Sequence, residues 1–279
     1  MQNKREILYH TPSGETWSLF EDMLSKPHIL VAGETGCGKS VAINGLIATI
    51  MYRLPIDQAD GAQMILIDPK SVELSDYSDM PHTISYADGF NPSGWLSAMR
   101  KAVTIMESRK AYMKANRQKM YSGGDLYVII DEWATVFKNG GKEAYKLMMR
   151  LTCEGRAERV HVIMATQHPK STIIPTEIRG NFDARLCLRT VDAGASRLIL
   201  GKAGCEQFPF PADVGYASGY YYHGGKIDYY KKLPYVRQEE IDKLLRWWAT
   251  SGTEYRGTKK QSLTDRLFAF AGIETFPVG

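Results

Sequence analysis

The sequence predicts an α/β fold, with a central, mostly parallel sheet and helices packed on both faces. Three observations lead there. Short apolar runs of strand length alternate with stretches of helical periodicity, the pattern of successive strand–helix–strand units. The first run, residues 29–32, opens directly into Gly33-x-x-x-x-Gly38-Lys39-Ser40. A later run, residues 126–130, ends on two adjacent carboxylates, Asp131 and Glu132. Polar groups at the carboxyl ends of buried parallel strands are where such sheets hold ligands.

The glycine-rich stretch has the pattern of a phosphate-binding loop. Phosphates carry dense negative charge and need many donors at short range. Glycine lets the backbone turn tightly so that successive N–H groups point inward. A helix starting near Gly38 adds the positive end of its dipole. The nucleotide-binding set is then Gly33, Glu34, Thr35, Gly36, Cys37, Gly38, Lys39, Ser40 and Val41. Lys39 reaches the β- and γ-phosphates, and the Ser40 hydroxyl holds Mg2+. Cys37 reads as a small spacer, not a redox group. Val41, Ile43, Leu46, Ile47 and Ile50 give the helix an apolar face, and Leu54-Pro55 ends it.

Composition sets the frame. With 279 residues, 44% of them hydrophobic and 24% charged, the chain is an ordinary globular one, long enough for one large α/β domain with additions. No apolar run approaches the ~18 residues that span a bilayer, and residues 1–6 lack the apolar core of a secretion signal. Cysteines 37, 153, 187 and 205 show no metal or redox spacing. The expectation is a reduced, soluble, cytoplasmic protein. A net charge of +4 is compatible with a nucleic-acid partner but too weak to argue for one.

The remaining elements follow in order. Residues 1–24 read as an N-terminal extension in which Ile7, Leu8, Trp17, Leu19 and Phe20 cover the end of the first strand. The main domain spans 25–235, and residues 236–279 form a helical tail with helices at 238–248 and 263–271. A second buried strand, 63–68, ends in Asp68-Pro69-Lys70. The local residues leave open whether these line a ligand site or whether Asp68 caps a helix that Pro69 begins. A strand is expected at 82–86 and a long helix at 93–119. The charges of that helix (Arg100, Lys101, Arg109, Lys110, Lys114, Arg117 and Lys119) read as a solvated face. Residues 122–124 form a turn.

Beyond the strand at 126–130, Asp131 holds the hydrated magnesium ion, and Glu132 polarises a water for attack on the γ-phosphate. The pair argues against a small-molecule kinase, which has no need of a water-activating glutamate. A helix is expected from Lys142 to about Glu158. The fourth strand, 160–165, leads into Thr166-Gln167-His168-Pro169, where a polar residue, Gln167, senses the γ-phosphate. A fifth strand covers 184–189. Residues 214–222 and 227–230 read as a hairpin around His223-Gly224-Gly225, packed on the domain edge.

These residues resemble the motor domain of the FtsK/SpoIIIE DNA translocases over roughly residues 25–220. The likeness exceeds the generic nucleotide motifs. It includes Pro27-His28-Ile29-Leu30-Val31-Ala32-Gly33, Ile67-Asp68-Pro69-Lys70 with Glu73-Leu74 and Tyr77, Pro81-His82, and Met106-Glu107-x-Arg109. It continues with Arg156-Ala157, His161, Ala165-Thr166-Gln167, Ile178-Arg179-x-Asn181, and Asp192 with Ser196-Arg197.

The resemblance implies a RecA-like P-loop NTPase, a homo-oligomer, hexameric in the family, closed around double-stranded DNA, with ATP and Mg2+ between neighbouring subunits. Arg156 stands where the family's arginine reaches a neighbour's ATP. Such fingers are worth roughly 10³–10⁵ in rate. His168, Arg179 and Arg197 then become candidates to touch DNA phosphates. The sequence also departs from the family. His168 replaces the usual arginine, Ala193 stands near a usual lysine, and Phe208-Pro209-Phe210-Pro211-Ala212-Asp213 replaces a glycine-rich segment. The membrane segments and the C-terminal DNA-reading domain of cellular members have no counterpart here, so attachment and directionality are expected from a membrane or relaxase-type partner. Compact relatives occur in conjugative plasmids and phages, which implies a coupling or DNA-transfer role for a mobile element. Two other readings stay open, a protein-secretion ATPase of the same fold and an ATP-binding switch that docks a DNA-processing partner. Asp68-Pro69-Lys70 favours DNA, because the secretion branch tends to carry a different residue between the Asp and the Lys.

Overall fold

The computed structural model describes residues 18–53 and 61–234, with residues 239, 241–243 and 245–246 beyond them. The chain divides into two compact units, Met1–Val236 and Arg237–Gly279. The Leu54-Pro55 stop, the contacts expected of Ile7, Leu8 and Trp17, five of the eleven residues of the first tail helix and all of the second lie outside the described residues.

Eight strands form one sheet. β1 (His28–Ala32), β2 (Gln63–Asp68), β3 (Thr83–Asp88), β4 (Leu126–Ile130), β5 (Val160–Thr166) and β6 (Ala184–Cys187) pair in parallel. β7 (Gly219–His223) and β8 (Lys226–Tyr230) extend one edge as an antiparallel hairpin. The order across the sheet is β3-β2-β4-β5-β1-β6-β7-β8. β1 and β4 are buried at every position, because helices cover both faces and leave no solvent side for a polar residue. Alternation along each strand sends Leu30, Val128 and Val162 to one face, where they meet Trp95, Met99 and Met106 of α3 (Pro92–Ala115) and Trp133 and Met148 of α4 (Trp133–Glu154). The other face is covered by α1 (Ser18–Leu24) and α2 (Lys39–Arg53). Here Phe20 packs so closely on Gly45 that a Cβ at that glycine would overlap its ring. Each fully buried aliphatic or aromatic side chain contributes about 1.5–3 kcal/mol of transfer free energy.

Several boundaries differ from expectation. α1 had no counterpart in the sequence reading, although Leu19 and Phe20 are buried as expected. The third strand runs 83–88 and not 82–86. α3 is capped by the Asn91 side chain, which accepts from Gly94 N at 3.0 Å, and it stops at Ala115, not Lys119. Arg117 there takes φ 53°, outside helical space. The largest correction concerns α4. It begins at Trp133, directly after Glu132, and ends at Glu154. Gly141 breaks it with φ 56° and ψ −138°, so the expected start at Lys142 is the restart after a kink. β6 ends two residues early, at Cys187, although Leu188 N still donates to Ala32 O at 2.8 Å and Glu34 N to Arg189 O at 2.9 Å. The expected strand at 214–222 begins only at Gly219, since Pro211 opens a one-turn helix, α7 (Pro211–Val214), that Gly215 closes with φ 77°.

Two charges on the basic face of α3 are paired at home, and a third side chain is buried. Arg100 pairs with Glu143 of α4 at 2.6 Å and Lys110 with Glu154 at 3.4 Å. Arg109 is buried and donates to Glu158 O and Arg159 O. The hairpin is packed as expected: Tyr220 and Tyr229 close on Phe208 with ring centroids 5.1 and 5.8 Å away. Among the described residues no helix is long and apolar enough to cross a membrane.

Candidate functional site

Strand order brings the site together. β5 lies between β1 and β4, so the phosphate loop, the Thr166-Gln167 tail and the Asp131-Glu132 pair emerge side by side at one edge. The loop needs its glycines. Gly36 and Gly38 take φ 77° and 98°, conformations that a side chain resists. A Cβ on Gly33 would lie 2.5 Å from Cys37 Sγ and 2.8 Å from Leu188 Cβ. Cys37 is a buried thiol that desolvation pushes up to about 11; it is packed and protonated, as a spacer should be.

At the base of the loop, Lys39 Nζ sits 3.4 Å from Asp131 Oδ1, with the side chains 4% and 0% exposed. Burial raises the pKa of Asp131; Lys39 opposes the rise, while Glu73 and Asp68 add to it. The second oxygen of Asp131, Oδ2, is buried without a hydrogen-bond partner. An orphaned carboxylate oxygen in an acidic corner suits a divalent cation or its water, and the half-buried Ser40 follows Lys39 in the chain.

Glu132 is also buried, at 2% exposure. Thr166 Oγ1 donates to its Oε1 at 2.9 Å, and Gln167 N donates to Oε1 and Oε2 at 3.2 Å each. Lys70 Nζ stands 3.8 Å from Oε2. Gln167 also touches the loop, its Oε1 accepting from Thr35 Oγ1 at 3.1 Å. Asp68 has a structural role. Its carboxylate accepts from the backbone of Lys70, Glu73 and Leu74 at 2.9–3.1 Å. It therefore caps a turn that delivers Lys70 to Glu132, and no helix begins at Pro69.

Other candidates lie away from this centre. Arg156 is exposed in the turn before β5, at the strand's other end. β5 has seven residues, so at ~3.3 Å each Arg156 lies on the order of 20 Å from its own chain's loop. Its guanidinium makes no ion pair among the described residues. Arg179 closes α5 (Thr176–Arg179), and its guanidinium donates to Thr176 Oγ1 at 3.4 Å. Nearby Asn181 reaches Thr152 at the end of α4, and Phe182 meets His28 at the start of β1. Arg179 therefore lies toward the edge that holds Arg156. His168 is exposed on the loop's side, and Arg197 is exposed on α6 (Ala193–Leu200). The three DNA-contact candidates do not form one cluster.

The sequence reading missed four contributors. Arg189 forms an ion pair with Glu34 of the loop at 2.7 Å and lies over the Phe210 ring at 4.3 Å. Its position just past β6 was the available signal. Thr166 and Lys70 were named as parts of motifs but given no role. The fourth is a cavity of about 290 Å³ beside the loop, lined by Gly38, Val41, Ala42, Pro211, Tyr216 and Leu233. Its walls come from segments too distant in sequence to be paired by eye.

The FtsK/SpoIIIE family model matches residues 10–207. The DNA translocase FtsK of Rhizobium meliloti (strain 1021) is 32% identical over 277 residues, covering 84% of this chain and 30% of that protein. That of Borreliella burgdorferi is 32% identical over 221 residues, covering 74% and 27%. This chain thus spans under a third of the length of these relatives. Among solved structures, the pCW3 conjugation coupling protein TcpA, in a monomer form with ATPgS, superposes with a TM-score of 0.66 at 20% identity, over 80% of this chain and 65% of that one. The cytoplasmic domain of the Thermomonospora curvata type VII secretion ATPase EccC gives 0.64 at 19%, over 80% and 28%. At these identities the likeness is one of fold, and the fold is that of P-loop ATPases. With the loop, the carboxylate pair and the strand order in place, the match over residues 10–207 means that the chain belongs to the FtsK/SpoIIIE family.

Proposed function

We propose that this chain is the ATP-hydrolysing motor of a ring, hexameric by family resemblance, that moves double-stranded DNA. The observation that carries the reading is the convergence of Lys39, Asp131 and Glu132 at one edge of the sheet, past the ends of β1 and β4 on either side of β5. The loop's N–H groups and Lys39 take the β- and γ-phosphates, and the base occupies the cavity beside Gly38. Ser40 and Asp131 would hold Mg2+, which when bound neutralises charge on the phosphate oxygens. Among the described residues no group of three His, Cys, Asp or Glu could hold a metal.

Glu132 accepts a proton from a water as its oxygen bonds to the γ-phosphorus, while the bond to ADP breaks. Arg156 is too far from its own loop to take part in that step. Its exposure, and its freedom from ion pairs among the described residues, support a role across a subunit boundary, with the guanidinium neutralising charge on a neighbour's phosphoryl group. His168, Arg179 and Arg197 are the proposed phosphate contacts on DNA. The reading extends to a coupling or DNA-transfer role for a mobile element, supported by the likeness in fold to the conjugation coupling protein TcpA.

The test is the ATPase rate with and without duplex DNA, alongside the mass of the assembly. Stimulation by duplexes of unrelated sequence, together with a ring mass, is expected. Stimulation by an extended polypeptide and not by duplex would overturn the reading in favour of a secretion motor.

A further inference from the structure

Glu132 is the N-cap residue of α4, where a carboxylate usually turns back onto the helix's free N–H groups. It makes no such bond. Instead it points across to β5, and both of its oxygens are engaged by one short segment. Thr166 Oγ1 donates to Oε1 at 2.9 Å and itself accepts from His168 N at 3.3 Å. A hydroxyl has a single proton, so these two bonds fix its orientation, with the proton toward Glu132 and a lone pair toward His168. Gln167 N bridges both carboxylate oxygens. Thr166 is fully buried and held in register beside Ala32, the last residue before the phosphate loop. Two residues on, His168 is exposed. The segment from 166 to 168 thus links an exposed residue to the group that must receive a proton. Hydrogen bonds fade beyond about 3.5 Å, so a shift of under 1 Å at Gln167 and His168 would break the Gln167 N bonds to the carboxylate and remove the His168 N bond that orients the Thr166 hydroxyl.

We propose that Thr166 is a positioning residue that holds Glu132 turned away from the attacking water until the segment from Gln167 to His168 moves, so that engagement of DNA at this segment triggers hydrolysis. This rests on the motor reading above. The tether works through the Thr166 hydroxyl, with Gln167 N as its companion, and Gln167 Oε1 reports the state of the loop through Thr35.

The experiment uses the full chain and compares wild type with Thr166→Val, Thr166→Ala and Thr166→Ser. Thr166→Val keeps the shape and removes the hydroxyl. Thr166→Ala removes it without a buried methyl contact and stands in if valine is not tolerated; thermal melts identify which variants fold. Hydrolysis of Mg-ATP is measured without DNA and at saturating duplex, and affinity is measured with a non-hydrolysable ATP analogue. The basal rate of the valine or alanine variant should rise about tenfold, the factor that ~1.4 kcal/mol sets. The DNA-saturated rate should stay near wild type, so the stimulation ratio falls about tenfold while analogue affinity stays within about twofold. Thr166→Ser should restore the low basal rate and the ratio. If the hydroxyl merely orients Glu132 for catalysis, basal and stimulated rates fall together and the ratio is unchanged; that result overturns the proposal. If duplex DNA fails to stimulate wild type, the motor reading fails by itself. The basal rates still decide the tether: a rise in Thr166→Val supports it, and no rise overturns it.

Discussion

Lys39 and Asp131 form a buried ion pair before any nucleotide is bound, and removing one member has a cost that can be worked out. In Lys39→Ala, Asp131 remains fully buried with Glu73 and Asp68 still raising its pKa. It can stay charged without a partner or take up a proton. Protonation sets the upper limit. Asp131 ionises near 3.8 when free, so protonating it at pH 7 costs about 4 kcal/mol, roughly three pH units at ~1.4 kcal/mol each. Broken buried pairs typically cost about 3–5 kcal/mol, against a total stability of roughly 5–15 kcal/mol.

The pH dependence has a definite sign. A carboxyl whose folded pKa is raised binds protons better when native, so Lys39→Ala should recover stability as pH falls from 7 toward 3.8, the free value. At pH 5 the loss should shrink to about 1.5 kcal/mol. Adding Asp131→Asn removes the stranded charge and should recover at least about 2 kcal/mol at pH 7. Nucleotide binding should not return in the double variant, because the phosphates still lack Lys39. Urea unfolding followed by circular dichroism, at pH 7 and pH 5 for the four combinations, measures this; with a slope of about 3 kcal/mol per M the midpoint of Lys39→Ala moves by about 1 M. Losses that add within ~0.5 kcal/mol, or that are equal at both pH values, would refute the coupled pair.

Three further outcomes are expected. Glu132→Gln should bind ATP normally and turn it over at least about 10²-fold more slowly, because an amide cannot accept the proton; separate binding and hydrolysis assays check this, and normal turnover would move the base elsewhere. Mixtures of Arg156→Ala with Lys39→Ala protein should recover activity that neither has alone, since each lacks a different half of an interface site; flat activity at every mixing ratio counts against a finger in trans. Arg179→Ala and Arg197→Ala should each weaken duplexes of all sequences alike and reduce the slope of log affinity against log salt by about one, as read by titrating labelled duplexes.

The sequence by itself determined the chemistry and the class of fold. A loop of the form Gly33 to Ser40 must follow a strand and open a helix, because only that geometry gathers its N–H groups around a phosphate. The apolar runs at 63–68, 126–130 and 160–165 had to be buried parallel strands, since they contain no polar face to show to water. Adjacent carboxylates at the end of one of them had nowhere to go but the same edge. These are local constraints, and local residues reveal them.

What only the tertiary structure decided depends on residues far apart in sequence. Strand order put β5 between β1 and β4, and so made Thr166 and Gln167 neighbours of Glu132. Nothing in residues 160–168 could specify that. The start of α4 at Trp133 was hidden by Gly140-Gly141, a pair that locally argues against a helix; burial of Trp133 and Val136 against the sheet outweighs it. Arg189 reaches Glu34 only because β6 lies beside β1 and carries the chain past the loop. Two of the charges on α3, ambiguous as a string of letters, are paired because α4 lies alongside with Glu143 and Glu154. Contacts of this kind are set by packing two elements together, and packing is a property of the whole chain.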